Sequence, residues 1–285
     1  MPNAAETPRN LKTGADHMRS MRSEKPRTAN SNGKYRWLII SLVRHGESMN
    51  NVYPTWNAKN DDRLTLRGRV QAGTLGLHWQ DTRIDAIYAS TLTRARVTAH
   101  AIADANKGDL SVRTEPLLVE RHIGSVARIH AARGDHKAAR QEQHGPGVGR
   151  FAHRDRMHRP SGGGESLDDV ARRIKVVLLS TLKHHFEPLG EKPEGIALPP
   201  ERCTSPTDDV PEGIPHVVLV SHNVFMCEFY ETLVNWGKPV SEHRSTCTDY
   251  PNTAWSRHLI RLSEEDSSDM RFWDLQEAPR CSRCA

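Results

Sequence analysis

Two histidines and two arginines have the residue types and local settings that phosphoryl transfer needs. Arg44 and His45 stand side by side before Gly46, and Arg94 and His222 lie much further along the chain. A phosphoryl group spreads negative charge over three oxygens, so its transfer needs a nucleophile and cations that bind these oxygens. A neutral imidazole nitrogen attacks without first losing a proton, and a guanidinium presents a planar fork of donors that suits phosphate. These residues predict a phosphotransfer site if the fold brings them together.

Each of these residues follows a segment with the pattern of a β-strand. Residues 37–43 are a continuous apolar run rich in branched side chains, typical of a strand that is buried on both faces, and the run ends directly before Arg44. The run 217–220 ends just before His222 in the same way, and a shorter strand is predicted over 84–89, a few residues before the second arginine. Ligands bind beyond the carboxyl ends of parallel strands. The three strand ends are therefore expected to form one site.

Helical patterns lie between the predicted strands. Thr65 is a candidate N-cap for a helix that reaches Trp79, and apolar residues recur at helical spacing over 92–103 and 167–182. A further helix is predicted over 224–234, and two last strands over 254–262 and 270–275. Strands that alternate with helices predict one α/β domain, a three-layer sandwich with a mostly parallel sheet covered on both faces.

The domain organisation that we expect is a basic tail over 1–36 and one domain over 37–285, with insertions at about 121–160 and 187–215. The tail carries eight Lys or Arg against three acids and has few large apolar residues, so we expect it to be disordered and solvated. Nucleic-acid binding and an organelle transit signal are its less favoured interpretations. The insertion 121–160 has nine Lys or Arg and six His against three acids. It would attract anions if it lies beside the pocket, or it is a solvated loop.

Composition points to a soluble cytoplasmic protein without nucleic-acid or membrane partners. The sequence contains no apolar run of about 18 residues, the length that a membrane helix requires. Its five cysteines are an odd and scattered number, which suits a reducing compartment, and the pair Cys281 and Cys284 has no second CxxC to complete a zinc site. The His184 and His185 pair also lacks metal-ligand spacing, so no metal is expected.

Five motifs follow one another along residues 37–262: LVRHGES at 42–48, LTLRGRVQA at 64–72, YASTLTRA at 88–95, ERHIG at 120–124 and SH at 221–222. Together and in this order they resemble the motifs of the histidine phosphatase superfamily, in its phosphoglycerate mutase-like branch. The resemblance implies a phosphoglycerate mutase-like fold and a phosphomonoesterase, a hydrolase that needs no cofactor. It also implies roles for six residues. His45 would be the phosphohistidine nucleophile, Glu120 the proton donor, and Arg44, Arg94, His222 and Asn51 the phosphate-binding residues.

The sequence departs from the family pattern at several positions. Asn223 follows the second histidine where the family usually has glycine, and its side chain could crowd the phosphate or add an amide donor. The mutase subgroup has a tyrosine where this chain has Ile123, a lysine near the position of Ala131, and a Trp-Arg-Arg segment that is absent between 124 and 164. Hydrolysis of a small, strongly anionic phosphorylated substrate is therefore preferred to mutase-type phosphotransfer.

Other interpretations stay open at this point. A catalytically silent relative that binds phosphate is an alternative to both enzymes. His222 could be an ordinary histidine at a strand end, and Glu120 could form a surface ion pair with Arg121. The distances between these side chains decide among these interpretations.

Overall fold

The computed structural model describes residues 35–53, 62–145, 155–188, 210–244 and 249–276. Most of the predicted tail and most of the 187–215 insertion lie outside the described residues, as do four of the five cysteines, including the C-terminal CxxC. Among the described helices, none combines the length and the apolar character that a membrane span requires.

The described chain forms one 7-stranded sheet. Its strands are β1 (Tyr35–Arg44), β2 (Ala86–Ala89), β3 (Val112–Thr114), β4 (Glu187–Pro188), β5 (His216–Ser221), β6 (Trp255–Ser263) and β7 (Met270–Gln276). The order across the sheet is β3-β2-β5-β1-β6-β7, with β4 paired to the beginning of β1. The four strands β3, β2, β5 and β1 pair in parallel, while β6 and β7 extend the sheet by antiparallel pairing. The predicted α/β fold is confirmed.

Helices cover both faces of this sheet. They are α1 (Met49–Val52), α2 (Leu66–His78), α3 (Thr93–Ala105), α4 (Gly124–Ala132), α5 (His136–His144), α6 (Leu167–Val176) and α7 (Asn223–Val234). Alternate residues of β1 face opposite layers. Leu38, Ile40 and Leu42 pack with α6 and α7, whereas Val43 packs with α2 and α3. Each fully buried aliphatic side chain of β1 contributes about 1.5–3 kcal/mol to stability, so the sheet holds its strand ends rigidly.

The first long helix after Arg44 and His45 begins where the sequence predicts. The Thr65 hydroxyl accepts a hydrogen bond from Gly68 N at 2.9 Å, which caps α2. α6 begins with a capping box, in which Ser166 Oγ accepts from Asp169 N at 3.1 Å. The periodicity of 167–182 predicts one helix, but the α-helix ends at Val176 and the chain continues as a π-helical turn over Val177–Thr181.

The basic segment that follows Glu120 is helical in its described parts. It forms α4 and α5, so the interpretation of 121–160 as a poorly ordered loop is wrong for residues 124–144. Arg121 is buried, and its guanidinium donates to Glu165 O at 2.7 Å and to Gln143 O at 3.0 Å. Arg121 therefore ties this segment to the domain, in place of the surface ion pair that the sequence left open.

Candidate active site

The sheet brings the two predicted histidines to the same edge. β1 and β5 are in parallel register, with Arg44 opposite Ser221, so His45 and His222 each follow a neighbouring strand end. Their ring centroids lie 5.0 Å apart. Both side chains are buried. Residues separated by most of the chain thus form one compact cluster.

The geometry of His45 fixes which of its ring nitrogens is basic. Its Nδ1 lies 2.7 Å from Gly46 O, and because a carbonyl oxygen only accepts, Nδ1 carries the hydrogen. The other nitrogen, Nε2, then has a lone pair, and it accepts a hydrogen bond from Arg94 Nε at 3.2 Å. Burial, followed by the positive charges of Arg94 and Arg44, holds the pKa of His45 well below its usual value. The imidazole is therefore neutral and presents Nε2 as a nucleophile.

The loop that carries His45 lies directly against the first turn of α2. A Cβ added to Gly46 would lie 2.4 Å from Gly68 O, and one added to Gly68 would lie 1.9 Å from Glu47 O. Both distances are far below van der Waals contact, so side chains at these positions would force the backbones apart. Two glycines therefore permit the close approach that places His45.

Arg94 lies in the first turn of α3 and points at His45 from a fixed position. Its Nη1 forms an ion pair with Asp62 Oδ1, and Asp62 Oδ2 accepts a hydrogen bond from Asn50 N at 2.9 Å. The Asp62 side chain is fully buried. Sequence reasoning missed Asp62, since an acid near the start of a helix carries no local signal of burial. Its carboxylate holds the plane of the Arg94 guanidinium.

Two other nitrogens of the cluster are buried without a hydrogen-bond partner among the described residues. Arg44 donates from Nη1 to Tyr250 O, but its Nε has no partner. His222 Nε2 lies 2.9 Å from Ser90 Oγ, and its Nδ1 has no partner. Buried polar atoms are nearly always paired in folded proteins. An anion with several oxygens would satisfy both nitrogens.

His222 is uncharged because of its surroundings. Burial holds its pKa well below the usual value, and the positive charge of Arg94 and the neighbouring His45 and Arg44 lower it further. The ring is therefore neutral near pH 7. In this cluster the permanent positive charges belong to the two guanidiniums.

The Glu120 carboxylate contacts the first turn of α7, the helix that begins directly after His222. Its carboxylate oxygens accept hydrogen bonds from Arg121 N at 2.8 Å, Phe225 N at 3.1 Å and Val224 N at 3.2 Å. Its negative charge also favours the charged form of the Arg44 guanidinium. The predicted proton donor thus lies beside the cluster, and its Oε2, which accepts one of these bonds, keeps a second lone pair that can carry a proton.

Asn51 lies beside the backbone of His45. Its Oδ1 accepts from Ser48 N at 3.0 Å and from Asn252 Nδ2 at 3.0 Å, and the same Asn252 amide donates to His45 O at 3.1 Å. Sequence reasoning missed Asn252, which lies far away in the chain. The Asn51 and Asn252 pair supports the loop that carries the nucleophile.

Asn223, the departure after the second histidine, does not crowd this cluster. Its Oδ1 accepts a hydrogen bond from Tyr250 N at 2.9 Å. The carbonyl oxygen of the same Tyr250 accepts from Arg44. Asn223 therefore links the beginning of α7 to the segment that holds Arg44.

Metal-binding geometry is not found in the part of the chain that the structure describes. No three His, Cys, Asp or Glu side chains of that part group closely enough to hold an ion. His185 Nε2 is instead 2.8 Å from the Tyr88 hydroxyl, and the His184 ring stacks on His185 at 3.9 Å between centroids. The contacts of His184 and His185 are therefore with Tyr88 and with each other.

Comparisons with known proteins support the family resemblance of the five sequence motifs. The sequence profile described as histidine phosphatase superfamily (branch 1) matches residues 40–267. The chain is 26% identical to the fructose-2,6-bisphosphatase TIGAR B of Danio rerio over 244 residues, which cover 80% of this chain and 88% of that protein. It is 30% identical to a 2,3-bisphosphoglycerate-dependent phosphoglycerate mutase of Brucella anthropi over 149 residues, 51% of this chain and 69% of that protein. A mycobacterial glucosyl-3-phosphoglycerate phosphatase has a similar fold, with a TM-score of 0.55, 24% identity and coverage of 87% of this chain and 100% of that one.

Proposed function

The chain belongs to the histidine phosphatase superfamily, and we propose that within it the protein is a phosphomonoesterase that works through a phosphohistidine on His45. One observation carries the proposal. The neutral imidazole of His45 presents its Nε2 within a buried cluster. In the same cluster, Arg44 Nε and His222 Nδ1 have no hydrogen-bond partner among the described residues. A nucleophile and unsatisfied buried nitrogens at one place suit a tetrahedral oxyanion.

The reaction that follows from this arrangement has two steps. In the first, the lone pair of His45 Nε2 attacks phosphorus, the N–P bond forms, and the bond to the ester oxygen breaks while Glu120 supplies a proton to that oxygen. In the second, the Glu120 carboxylate takes a proton from water, the water oxygen attacks phosphorus, and the N–P bond breaks. Arg44, Arg94, His222 and Asn51 hold the phosphoryl oxygens throughout. The enzyme returns to its starting state and releases inorganic phosphate.

The substrate that we propose is a small and strongly anionic phosphorylated molecule. Two of the proteins compared above are named as a fructose-2,6-bisphosphatase and a glucosyl-3-phosphoglycerate phosphatase. The segment 124–144, which follows Glu120, carries the exposed cations Arg133, Lys137 and Arg140, which would favour additional negative charge on the substrate. We also propose a cytoplasmic location and no nucleic-acid or membrane partner.

A mutase is the second candidate, because mutases of several Brucella species are among the relatives. In a mutase, the phosphoryl group on His45 returns to a second hydroxyl of a bound sugar acid and does not pass to water. Ile123, where the mutase subgroup has tyrosine, offers no hydrogen bond to such an acceptor. Phosphate release and isomer interconversion should be assayed side by side. Turnover that depends on added bisphosphoglycerate would favour the mutase.

Brief exposure to a labelled phosphomonoester tests the nucleophile directly. We expect acid-labile label on the chain, because a phosphohistidine is stable in base and hydrolyses in acid. His45→Ala should carry no label and release no phosphate, whereas His100→Ala, which removes an exposed histidine on α3, should behave like the natural protein. Label or unchanged turnover in His45→Ala would contradict the assignment. A natural protein that binds phosphate but takes up no label from any phosphomonoester would indicate the silent relative.

A further inference from the structure

Ser90 holds one nitrogen of His222 and lies at the end of β2. Its side chain is fully buried, and its Oγ lies 2.9 Å from His222 Nε2. The same oxygen accepts a hydrogen bond from Leu92 N at 3.3 Å. The Ser90 hydroxyl thus stands between the backbone of the loop before α3 and the second histidine of the cluster.

The direction of the Ser90 to His222 hydrogen bond follows from counting donors and acceptors. A serine hydroxyl has one hydrogen to donate, and burial makes an unused hydrogen costly. Among the described residues, His222 Nε2 is the one acceptor found for that hydrogen, since the Leu92 contact uses an oxygen lone pair. Ser90 therefore donates to Nε2. A neutral ring that accepts at Nε2 carries its own hydrogen on Nδ1.

We propose that Ser90 is a positioning residue that fixes His222 as the Nδ1–H tautomer, so that this N–H donates to a phosphoryl oxygen. Nδ1 is the nitrogen that is buried without a partner among the described residues. In the opposite tautomer, a lone pair on Nδ1 would face the oxyanion and repel it. The identity of the ligand rests on the proposed function, while the tautomer of the free protein does not.

The choice of tautomer matters because His222 is uncharged. A protonated imidazole donates from both nitrogens, but a neutral ring donates from only one. Burial opposes protonation of the ring most strongly, and Arg94, His45 and Arg44 oppose it further. A neutral His222 can thus contribute to phosphate binding only if its single hydrogen is on the nitrogen that faces the pocket. The Ser90 hydroxyl supplies that selection.

Nitrogen chemical shifts of the free protein test the tautomer without any activity measurement. The protein is labelled with ¹⁵N-histidine, and the His222 signals are identified by their loss in His222→Gln. We expect a protonated Nδ1 and an unprotonated Nε2 near pH 7. The opposite pattern in the natural protein would overturn the inference. This spectrum decides the question even if a variant of the buried serine does not fold.

Variants of Ser90 then test its influence on catalysis. Ser90→Ala should give a mixture of tautomers and lower kcat/KM by about 10- to 100-fold, the range for loss of one hydrogen bond to a charged group. Ser90→Thr keeps the hydroxyl and should restore both the tautomer and most of the activity. In a His222→Ala background, Ser90→Ala should change kcat/KM by less than about twofold, because the two residues act through one interaction.

Two outcomes separate this inference from the proposed function. An Nδ1–H tautomer that persists in Ser90→Ala, or an equal loss of activity with and without His222, would overturn the role of Ser90. A natural protein that shows the Nδ1–H tautomer but transfers no phosphoryl group would support the tautomer assignment and overturn the proposed function alone.

Discussion

Removal of Asp62 is expected to weaken the site mainly through Arg94. Asp62 does not contact His45 in the described structure, but its carboxylate pairs with Arg94, and Arg94 Nε donates to the nucleophilic nitrogen. The side chains of Asp62 and Arg94 are 0% and 10% exposed, so water cannot replace the lost partner easily. Without Asp62, the guanidinium keeps its charge and loses the group that fixes its orientation.

The size of the effect follows from this burial. Breaking a buried ion pair by removing one partner costs about 3–5 kcal/mol, so Asp62→Ala should lower the free energy of unfolding by about this amount. Asp62→Asn keeps the shape and one acceptor oxygen, and should cost about 1–2 kcal/mol, close to the value of one hydrogen bond. A misplacement of about 1 Å reduces rates about a hundredfold. We therefore expect kcat/KM to fall about a hundredfold in Asp62→Ala and about tenfold in Asp62→Asn.

Urea unfolding and initial rates of phosphate release measure these two effects. Asp81→Ala is the matched control, because Asp81 pairs with Lys107 on the surface, where both side chains are more than half exposed. Such a pair contributes about 0–1 kcal/mol, so this variant should keep its kcat/KM. In an Arg94→Ala background, Asp62→Asn should have little further effect on kcat/KM. Losses that add in the double variant, or an unchanged kcat/KM in Asp62→Ala, would refute the reasoning.

Two further predictions concern the loop of the nucleophile and the buried histidines. Gly68→Ala should destabilise the fold and lower kcat/KM, because its Cβ would lie 1.9 Å from a carbonyl oxygen. Gly73→Ala has open space at its Cβ and should stabilise α2 by about 0.5–1 kcal/mol. Equal melting temperatures of the two variants would contradict this. Burial, with the charge of Arg257, lowers the pKa of His216 to about 3. The unfolded chain binds that proton near pH 6.5, so stability is complete above this pH and falls below it by about 1.4 kcal/mol per pH unit. Urea unfolding at pH 7 and pH 5 should show this loss, and His216→Gln should reduce it by about 2 kcal/mol; an unaltered pH dependence in that variant would argue against His216 as the source.

The elements that carry the site are those that a sequence specifies most strongly. The runs 37–43 and 217–220 are apolar at every position but one, and a strand buried on both faces is the structure that accommodates such a run. The structure extends each run by one or two residues at each end, to Tyr35–Arg44 and His216–Ser221. Because parallel strands end at one edge, the placement of His45 beside His222 followed from these runs. The roles given to the site residues stay predictions.

The contacts that support the site could not be predicted, since they join distant parts of the chain. Packing that no local pattern encodes brings Asp62 to Arg94, and it likewise brings Asn252 to His45. Thr253 next to Asn252 adopts a φ of 59°, a left-handed conformation that a β-branched residue rarely takes. Its backbone N–H lies 3.4 Å from His45 O. The tertiary structure imposes this conformation against local preference, so the sequence of that segment gives no sign of it.

Helix α5 of the basic segment was missed for a different reason. α5 has polar side chains on nearly all sides, so it lacks the apolar stripe that reveals a helix. Ala139 is its one buried residue, and Asp135 Oδ1 caps it by accepting from Ala138 N at 3.0 Å. A pattern search weighted toward apolar periodicity interprets such a segment as a loop. N-cap chemistry at Asp135 was the available signal.

Arg94 connects the resting site to the proposed reaction. In the described structure its Nε donates to the lone pair of His45 Nε2, which is the pair that must attack phosphorus. A phosphoryl oxygen is a stronger acceptor than a neutral imidazole, so a bound substrate would take over this donor and release the lone pair as the electrophile arrives. Asp62 holds the other end of the guanidinium, so the donor is transferred by a small shift and the charge stays in place. On this mechanism, Arg94→Lys should impair attack more than binding, because an ammonium supplies the charge without the planar fork.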